Sequence, residues 1–354
     1  QAHYFVRADY VAVEDLAHKM ARHAMAGGTP FLLKFHHHLL GMTSFYGGHH
    51  NTALAHLQQS LSTSGSDRST GQGIPPEVAH VDSVSRCYIP ICLSLAGQLG
   101  AAQRESASAL FELGNDSTPL DRAAAHSITA LYKLFVRDHR SVQEHADAAL
   151  AICHEYGILY WQLVAGLFRL WAQSVVELVD RHEVDAARNG IDLLLVMGVR
   201  AARPLYLYVL AHLQANVGQL IEAMDTVQEA IGFIGDTGEY IWEPELRRLN
   251  GEVLLQVSPD YQARAEELFH RCIELSRFRG IKLLELHSAV SLSRLWRQQG
   301  KLKEAKALLQ PIYVKMPHDV DELDLVEAHA FLNPNSPNSN SKERCIQADG
   351  GNQH

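Results

Sequence analysis

Leu292-Ser293-Arg294-Leu295-Trp296-Arg297-Gln298-Gln299-Gly300, continued by Lys301-Leu302-Lys303-Glu304-Ala305-Lys306-Ala307-Leu308-Leu309-Gln310-Pro311-Ile312, reads as two helices joined by a glycine turn. The first carries a small residue, Ser293, beside a leucine. The second presents Ala305 five places after Gly300 and Leu309 four further on. Two antiparallel helices approach closely only where a small side chain lets one backbone settle on the other, and the bulky residue one turn along fills the adjacent gap. Glycine at the turn supplies the left-handed conformation that ends a helix.

Outward from this stretch the same pattern returns at Leu40-Gly41, Gly48, Ala53 and Leu57, and at Leu210-Ala211, Gly218, Ala223, Val227 and Ala230. The second-helix position recurs at Val13, Ala53, Ala102, Val142, Glu183, Ala223, Ala265 and Ala305, at intervals of 40, 49, 40, 41, 40, 42 and 40 residues. Such a period suits two helices of about four to five turns plus connections. Glu183 departs from the rule and marks a degenerate unit. The one long interval contains the Ser/Gly/Pro-rich stretch Ser62–Pro76, so a loop insertion is placed at 62–80.

Apolar residues follow a helical period, as in Leu16, Ala17, Met20, Ala21 and Ala24, or Leu268, Phe269, Cys272, Ile273 and Leu275. No alternating Val/Ile/Thr run argues for a sheet. The expected fold is all-α: a TPR-like α-solenoid of about eight antiparallel helix pairs in a right-handed superhelix. It is expected to be a continuous curved spine whose segments meet their neighbours, not far-off units. One repeat domain spans 1–332, a capping helix closes it at 321–332 (Asp324–Leu332 carries its pattern), and the Asn/Ser/Pro/Gly-rich segment 333–354 is read as a disordered tail.

The chain has 354 residues, 47% of them apolar and 20% charged, with a net charge of −9. The acidic balance argues against direct nucleic-acid binding. Cys87, Cys92, Cys153, Cys272 and Cys345 form no C-x-x-C pair and fit small core residues in a reducing compartment. Gln162 and Arg169 interrupt the most apolar segment, Tyr160–Trp171, so no membrane span is expected, and a cytoplasmic location is. Gln1 is not an initiator methionine and residues 3–7 read as the end of a helix, so the chain is expected to be the C-terminal portion of something longer.

The segments Gly238–Leu255, Leu284–Trp296, Gly300–Tyr313 and Asp324–Ala328 carry a family resemblance, most specific over 198–332. The chain resembles the C-terminal tetratricopeptide-like (TPR) region of bacterial signalling proteins in which an adenylate/guanylate cyclase domain, or a DNA-binding domain, precedes a STAND-type ATPase. The resemblance implies the regulatory arm of a nucleotide-handling switch. No G-x-x-x-x-G-K-[ST] occurs, so phosphate binding does not follow.

Histidine is the most conspicuous chemistry, with 21 residues that include His36-His37-His38 and His49-His50. Helical metal ligands share a face only at a spacing of three or four, and three adjacent histidines point in different directions. His154-Glu155 and His182-Glu183 lack the second histidine of the zinc-protease helix motif. Cys153 beside His154 points away from it, and Ser339-x-x-Lys342 lies in the tail. No catalytic, cofactor or metal residue is therefore assigned.

Binding is the remaining chemistry. Aromatic and charged residues cluster near the starts of first helices: Tyr160 and Trp161; Arg203, Tyr206 and Tyr208; Tyr240, Trp242, Glu245 and Arg248; Glu285 and His287. Aromatics and Arg are the usual anchors of a binding surface, although Trp161, Tyr206 and Trp242 fit inter-repeat packing as well. The expected function is a non-catalytic scaffold holding a protein or peptide in its concave groove and acting on upstream domains of the same polypeptide. The alternatives are the sensor arm of a transcriptional regulator with a DNA-binding head, and a metal-dependent enzyme using the His-rich segment.

Overall fold

A computed structural model describes residues 2–27, 31–63, 76–113, 117–176, 179–317 and 322–333. All regular structure among them is helical. Eight pairs follow one another: α1 (Ala2–Val6) with α2 (Tyr10–Met25), α3 (Phe31–Tyr46) with α4 (His50–Ser62), α5 (Pro76–Leu95) with α6 (Leu99–Leu113), and α7 (Pro119–Phe135) with α8 (His139–Tyr156). Then come α9 (Leu159–Val176) with α10 (Arg181–Val196), α11 (Arg203–Asn216) with α12 (Leu220–Thr237), α13 (Glu243–Val257) with α14 (Gln262–Arg279), and α15 (Lys282–Gln298) with α16 (Leu302–Tyr313). A last helix, α17 (Leu323–Leu332), packs on α15 and α16. The chain is an all-α, TPR-like solenoid.

In six of the eight pairs the turn between the two helices is the local device that repeats. Gly48, Gly97, Gly218 and Gly300 have positive φ, and the residue after each donates its N–H back to a carbonyl five positions earlier, as His49 does to Ser44 at 2.8 Å. This is the glycine-ended helix cap expected from the sequence. Two pairs use other residues there: Ala8 at φ 59° and Arg137 at φ 54°. Five places on from these turns, Val13, Ala53, Ala102, Val142, Ala223 and Ala305 are fully buried, as is Ala265 of the seventh pair. In the fifth pair Val184 takes that place, because Glu183 is used in a capping box with Asp180 at the start of α10.

Close approach is also enforced from the first helices. A Cβ on Gly41 would stand 2.8 Å from the Leu57 side chain, and one on Gly251 would stand 2.6 Å from the Phe269 ring. The insertion differs from expectation at one end. Helix α5 begins at Pro76, so 76–80 is helical, while 64–75 lies outside the described residues. The tail 334–354 and Cys345 also lie outside them.

The expectation of a spine meeting only its neighbours does not hold. The N–H groups of Arg200 and Ala201, before α11, donate to the Val6 carbonyl of the first pair. Arg279, ending α14, donates to the Gly47 carbonyl at 3.0 Å, and Gly97 lies against Lys282 and Met316. Arg137 reaches Asp324 of α17. The turns of pairs one to three thus rest on material five pairs further along, and the turn of the fourth rests on the closing helix. A small rotation per repeat, accumulated over five repeats, brings the helical path back over itself.

Candidate functional site

Closure of the path leaves a cavity of about 460 Å³ on the inner side, built from first helices of the later pairs. Side chains three or four apart share one helix face. That rule delivers Tyr208, His212 and Asn216 from α11, Arg248 and Glu252 from α13, and Arg294 and Arg297 from α15. Trp171 and Ser174 come from α9, Arg137 from the α7–α8 connection, His139 from the start of α8, and Glu327 from α17.

Behind this wall lies a buried network of charges. Arg137 Nη1 is 2.6 Å from Asp324 Oδ2. Arg248 holds Glu245 at 2.9 Å and Glu252 at 2.5 Å, and His287 Nδ1 is 3.1 Å from Glu245. His287 Nε2 stands 3.5 Å from both Glu322 and Asp324, while Arg294 pairs with Glu327 in two places. Burial alone would raise the Glu245 carboxyl, but Arg248, His287 and Arg137 hold it well below the ordinary range. For His287, burial and Arg137 disfavour the cation, yet Asp324, Glu245 and Glu322 carry its pKa upward.

Nearer the opening the imidazoles behave differently. Burial lowers His212 to about 4, helped by His139, and lowers His139 to about 4, helped by Arg137. Both are neutral at pH 7. Trp171 is 2% exposed and its ring centroid lies 4.5 Å from that of His139 at a 32° tilt; among the described residues neither Trp171 Nε1 nor His139 Nδ1 has a hydrogen-bond partner. Arg297, unlike its three neighbours, has no carboxylate partner among the described residues and lies 5.8 Å over the Phe331 ring. Among the described residues the cavity therefore has aromatic walls, a cation at its rim without a carboxylate partner, and buried ring nitrogens without a hydrogen-bond partner just behind its surface.

Among the described residues, His287, Glu322 and Asp324 form a group of three whose ligand atoms lie within 4.8 Å of one another. The Arg137 guanidinium already supplies the cation beside Asp324. A metal ion there would meet that charge at close range in a buried setting, which opposes it.

The residues singled out from sequence do not gather in one groove. Tyr208 and Arg248 line the cavity, and Glu245 and His287 belong to the network behind it. Trp242, 1% exposed, is stacked between Phe135 at 4.7 Å and Tyr208 at 5.9 Å. Tyr160 and Trp161 line a second, apolar chamber of about 290 Å³ with Phe5, Leu39 and Tyr88, and the Tyr160 hydroxyl meets that of Tyr206 at 3.3 Å. Arg203 pairs with Glu229 at 2.7 Å, Tyr240 lies under Arg279, and Glu285 pairs with Arg277. Reading from sequence missed Arg137, His139, Trp171, His212, Arg294 and Arg297. One signal was present: Arg137 stands where other pairs have the turn glycine.

Cys87, Cys92, Cys153 and Cys272 are free and buried, and burial pushes their thiols up, Cys87 to about 12. No helix of the described residues is long and apolar enough to cross a membrane.

No family model matches the sequence, and no curated protein matches it. The chain is similar to the solved structure of a Rap protein complexed with competence and sporulation factor. That likeness has a TM-score of 0.62 at 12% identity, covering 90% of this chain and 87% of that one. Yeast Tom70 is also similar, with a TM-score of 0.46 at 11% identity, covering 90% of this chain and 66% of that one. At 12% identity the Rap likeness establishes the fold.

Proposed function

We propose that the chain is a non-catalytic scaffold that takes a short, carboxylate-bearing peptide into the Arg-rimmed cavity. The observation that carries this reading is that, among the described residues, the buried Trp171 N–H has no hydrogen-bond partner and Arg297 at the rim has no carboxylate partner. The volume lies within the range of ligand sites, about 300–1,000 Å³. The structural neighbour solved with competence and sporulation factor supports a bound factor as the class of ligand.

Such a ligand would act through Arg294, which both lines the cavity and pairs with Glu327 and Asp324 of α17. A peptide carboxylate competing for Arg294 favours one setting of α17 over another, and that differential affinity is what biases an attached domain. We place the chain as the regulatory arm of a larger cyclase/ATPase signalling protein, a reading supported by the resemblance over 198–332. Removing the array from such a parent and finding its basal and stimulated activity unchanged would sink the regulatory part.

The binding part is tested with labelled peptides carrying either a free acid or an amide, by fluorescence anisotropy. The acid form is expected to bind more tightly. Arg297→Ala should weaken it by about tenfold, the order expected for a hydrogen bond to a charged group. Equal binding of acid and amide, or no loss in Arg297→Ala, rules the reading out.

A further inference from the structure

The second, apolar chamber shares no lining residue with the Arg-rimmed cavity, and its chemistry is the opposite. Its walls come from α3, α5, α7 and α9, the first helices of pairs two to five, and Phe5 and Val6 of α1 complete them. Among the described residues no Lys, Arg, Asp or Glu lines it. Burial, with His80 and Lys34, lowers the His38 ring to about 3, so that imidazole is neutral at pH 7. The His80 ring is matched by the Asp121 carboxylate at 2.7 Å.

The polar atoms of the wall are already engaged by the protein. The Tyr46 and Tyr88 hydroxyls are 3.2 Å apart, the Tyr160 hydroxyl meets that of Tyr206, and His38 Nδ1 lies 2.8 Å from Ser85 Oγ. A peptide backbone entering here brings N–H and C=O groups that need partners, and the wall has few left to give. An ion brings a charge that no wall residue balances. Both losses are costly in an apolar setting. An aromatic ring brings neither demand, and Tyr46, Tyr88, Tyr160 and Trp161 offer it ring faces and edges.

Size narrows the ligand further. The chamber holds about 290 Å³, roughly twice the ~150 Å³ of an apolar cavity that takes up benzene. We propose that it binds an uncharged, planar aromatic molecule of one or two fused rings, on the scale of indole.

Such a ligand packs against the residue that latches the front of the array. Val6 lines the chamber, and its carbonyl accepts the N–H groups of Arg200 at 2.6 Å and Ala201 at 3.0 Å. A ring seated against Val6 supports the contact between the first pair and the approach to α11. Because the chamber exists only while that contact is made, binding favours the closed path.

Indole is titrated into the full chain by calorimetry, with the methyl signals of its six methionines followed by NMR. Met42 is the one methionine lining the chamber among the described residues. Its methyl is expected to move saturably under the ring current of the ligand while the other five stay in place. Tm should rise with indole, because the ligand binds the folded form, and hydrogen exchange at the Arg200 and Ala201 N–H groups should slow. Indole-3-acetate, the same ring carrying a carboxylate, should shift Met42 with about tenfold or more weaker affinity. Val84→Phe puts a ring into the chamber from α5 and should abolish the indole-induced shift. Its ligand-free Tm checks its fold, and the wild-type methyl signals decide the question without it. No saturable shift at Met42, equal movement of all six methyls, equal affinity for indole-3-acetate there, or an undiminished shift in folded Val84→Phe overturns the proposal. Unchanged exchange at Arg200 and Ala201 with the chamber saturated overturns its link to the closed path.

Discussion

Arg137 and Asp324 form an ion pair at 2.6 Å that joins the turn of the fourth helix pair to the closing helix. Asp324 is fully buried, and Arg137 adopts a left-handed backbone at φ 54° to reach it. A non-glycine residue in that region costs about 1–3 kcal/mol and persists only where its surroundings hold it.

Arg137→Ala leaves Asp324 and Glu245 with one cation fewer in a buried setting. Breaking a buried pair in this way costs about 3–5 kcal/mol. We expect a lower urea midpoint and faster hydrogen exchange in α17. Arg137→Gly, which relieves the backbone but not the charge, should be almost as damaging. A variant as stable as wild type would show that the network contributes little.

His287 gives a pH dependence of definite sign. Its folded pKa lies above the ordinary value. The stabilisation it contributes is complete below its unfolded pKa of about 6.5 and is lost as pH rises through the folded value. Glu245 and Glu252 run the other way, since their carboxyls are held low and their contribution falls away in acid. Urea midpoints measured from pH 5 to 9 should decline on the alkaline side, and His287→Gln should flatten that limb.

Glu239 is buried between Tyr10, whose hydroxyl donates to it at 3.0 Å, and the Ala202 N–H, also at 3.0 Å. Burial pushes its carboxyl up to about 8. Ionising it inside the fold costs about 1.4 kcal/mol for each pH unit between the unfolded and folded values. Glu239→Gln keeps both contacts if the tyrosine hydroxyl becomes the acceptor. It should raise Tm at pH 8 and leave it unchanged at pH 4; a lower Tm at both would refute this.

Glycines divide cleanly by what surrounds them. Gly41→Ala and Gly251→Ala drive a methyl into Leu57 and Phe269, and overpacking of this kind costs about 1–3 kcal/mol. Gly232 and Gly235 lie within α12 with nothing inside 4 Å of an added Cβ. Replacing either with alanine should stabilise by about 0.5–1 kcal/mol. Thermal denaturation of the four single variants checks the contrast.

The pair architecture was readable because it rests on local chemistry. A left-handed turn wants glycine, a close crossing wants a small residue, and both recur at near-constant spacing around Gly48, Gly218 and Gly300. Glu183 was misplaced by one residue because capping-box chemistry overrode the packing register, leaving Val184 to be buried. Contacts such as Arg279 with Gly47 were not readable, since they depend on small rotations summed over five pairs. The cavity was half legible for the same reason. Tyr208 and Arg248 sit on a helix face visible in the sequence, whereas Arg137, His139 and Glu327 join them only after the path closes. From sequence Trp242 fitted either an anchor or inter-repeat packing, because an aromatic near a helix start serves both roles; in the fold it is buried against Phe135 and Tyr208.

The way the early turns lie against later pairs has a consequence for how the array can be shortened. In a spring whose coils do not touch, clipping one end leaves the other unaffected. Here the coils touch, and taking away the opening coil strips Val6 from Arg200 and Tyr10 from Glu239. Damage at the front end is thereby felt at mid-chain, past segments that keep every neighbour they had.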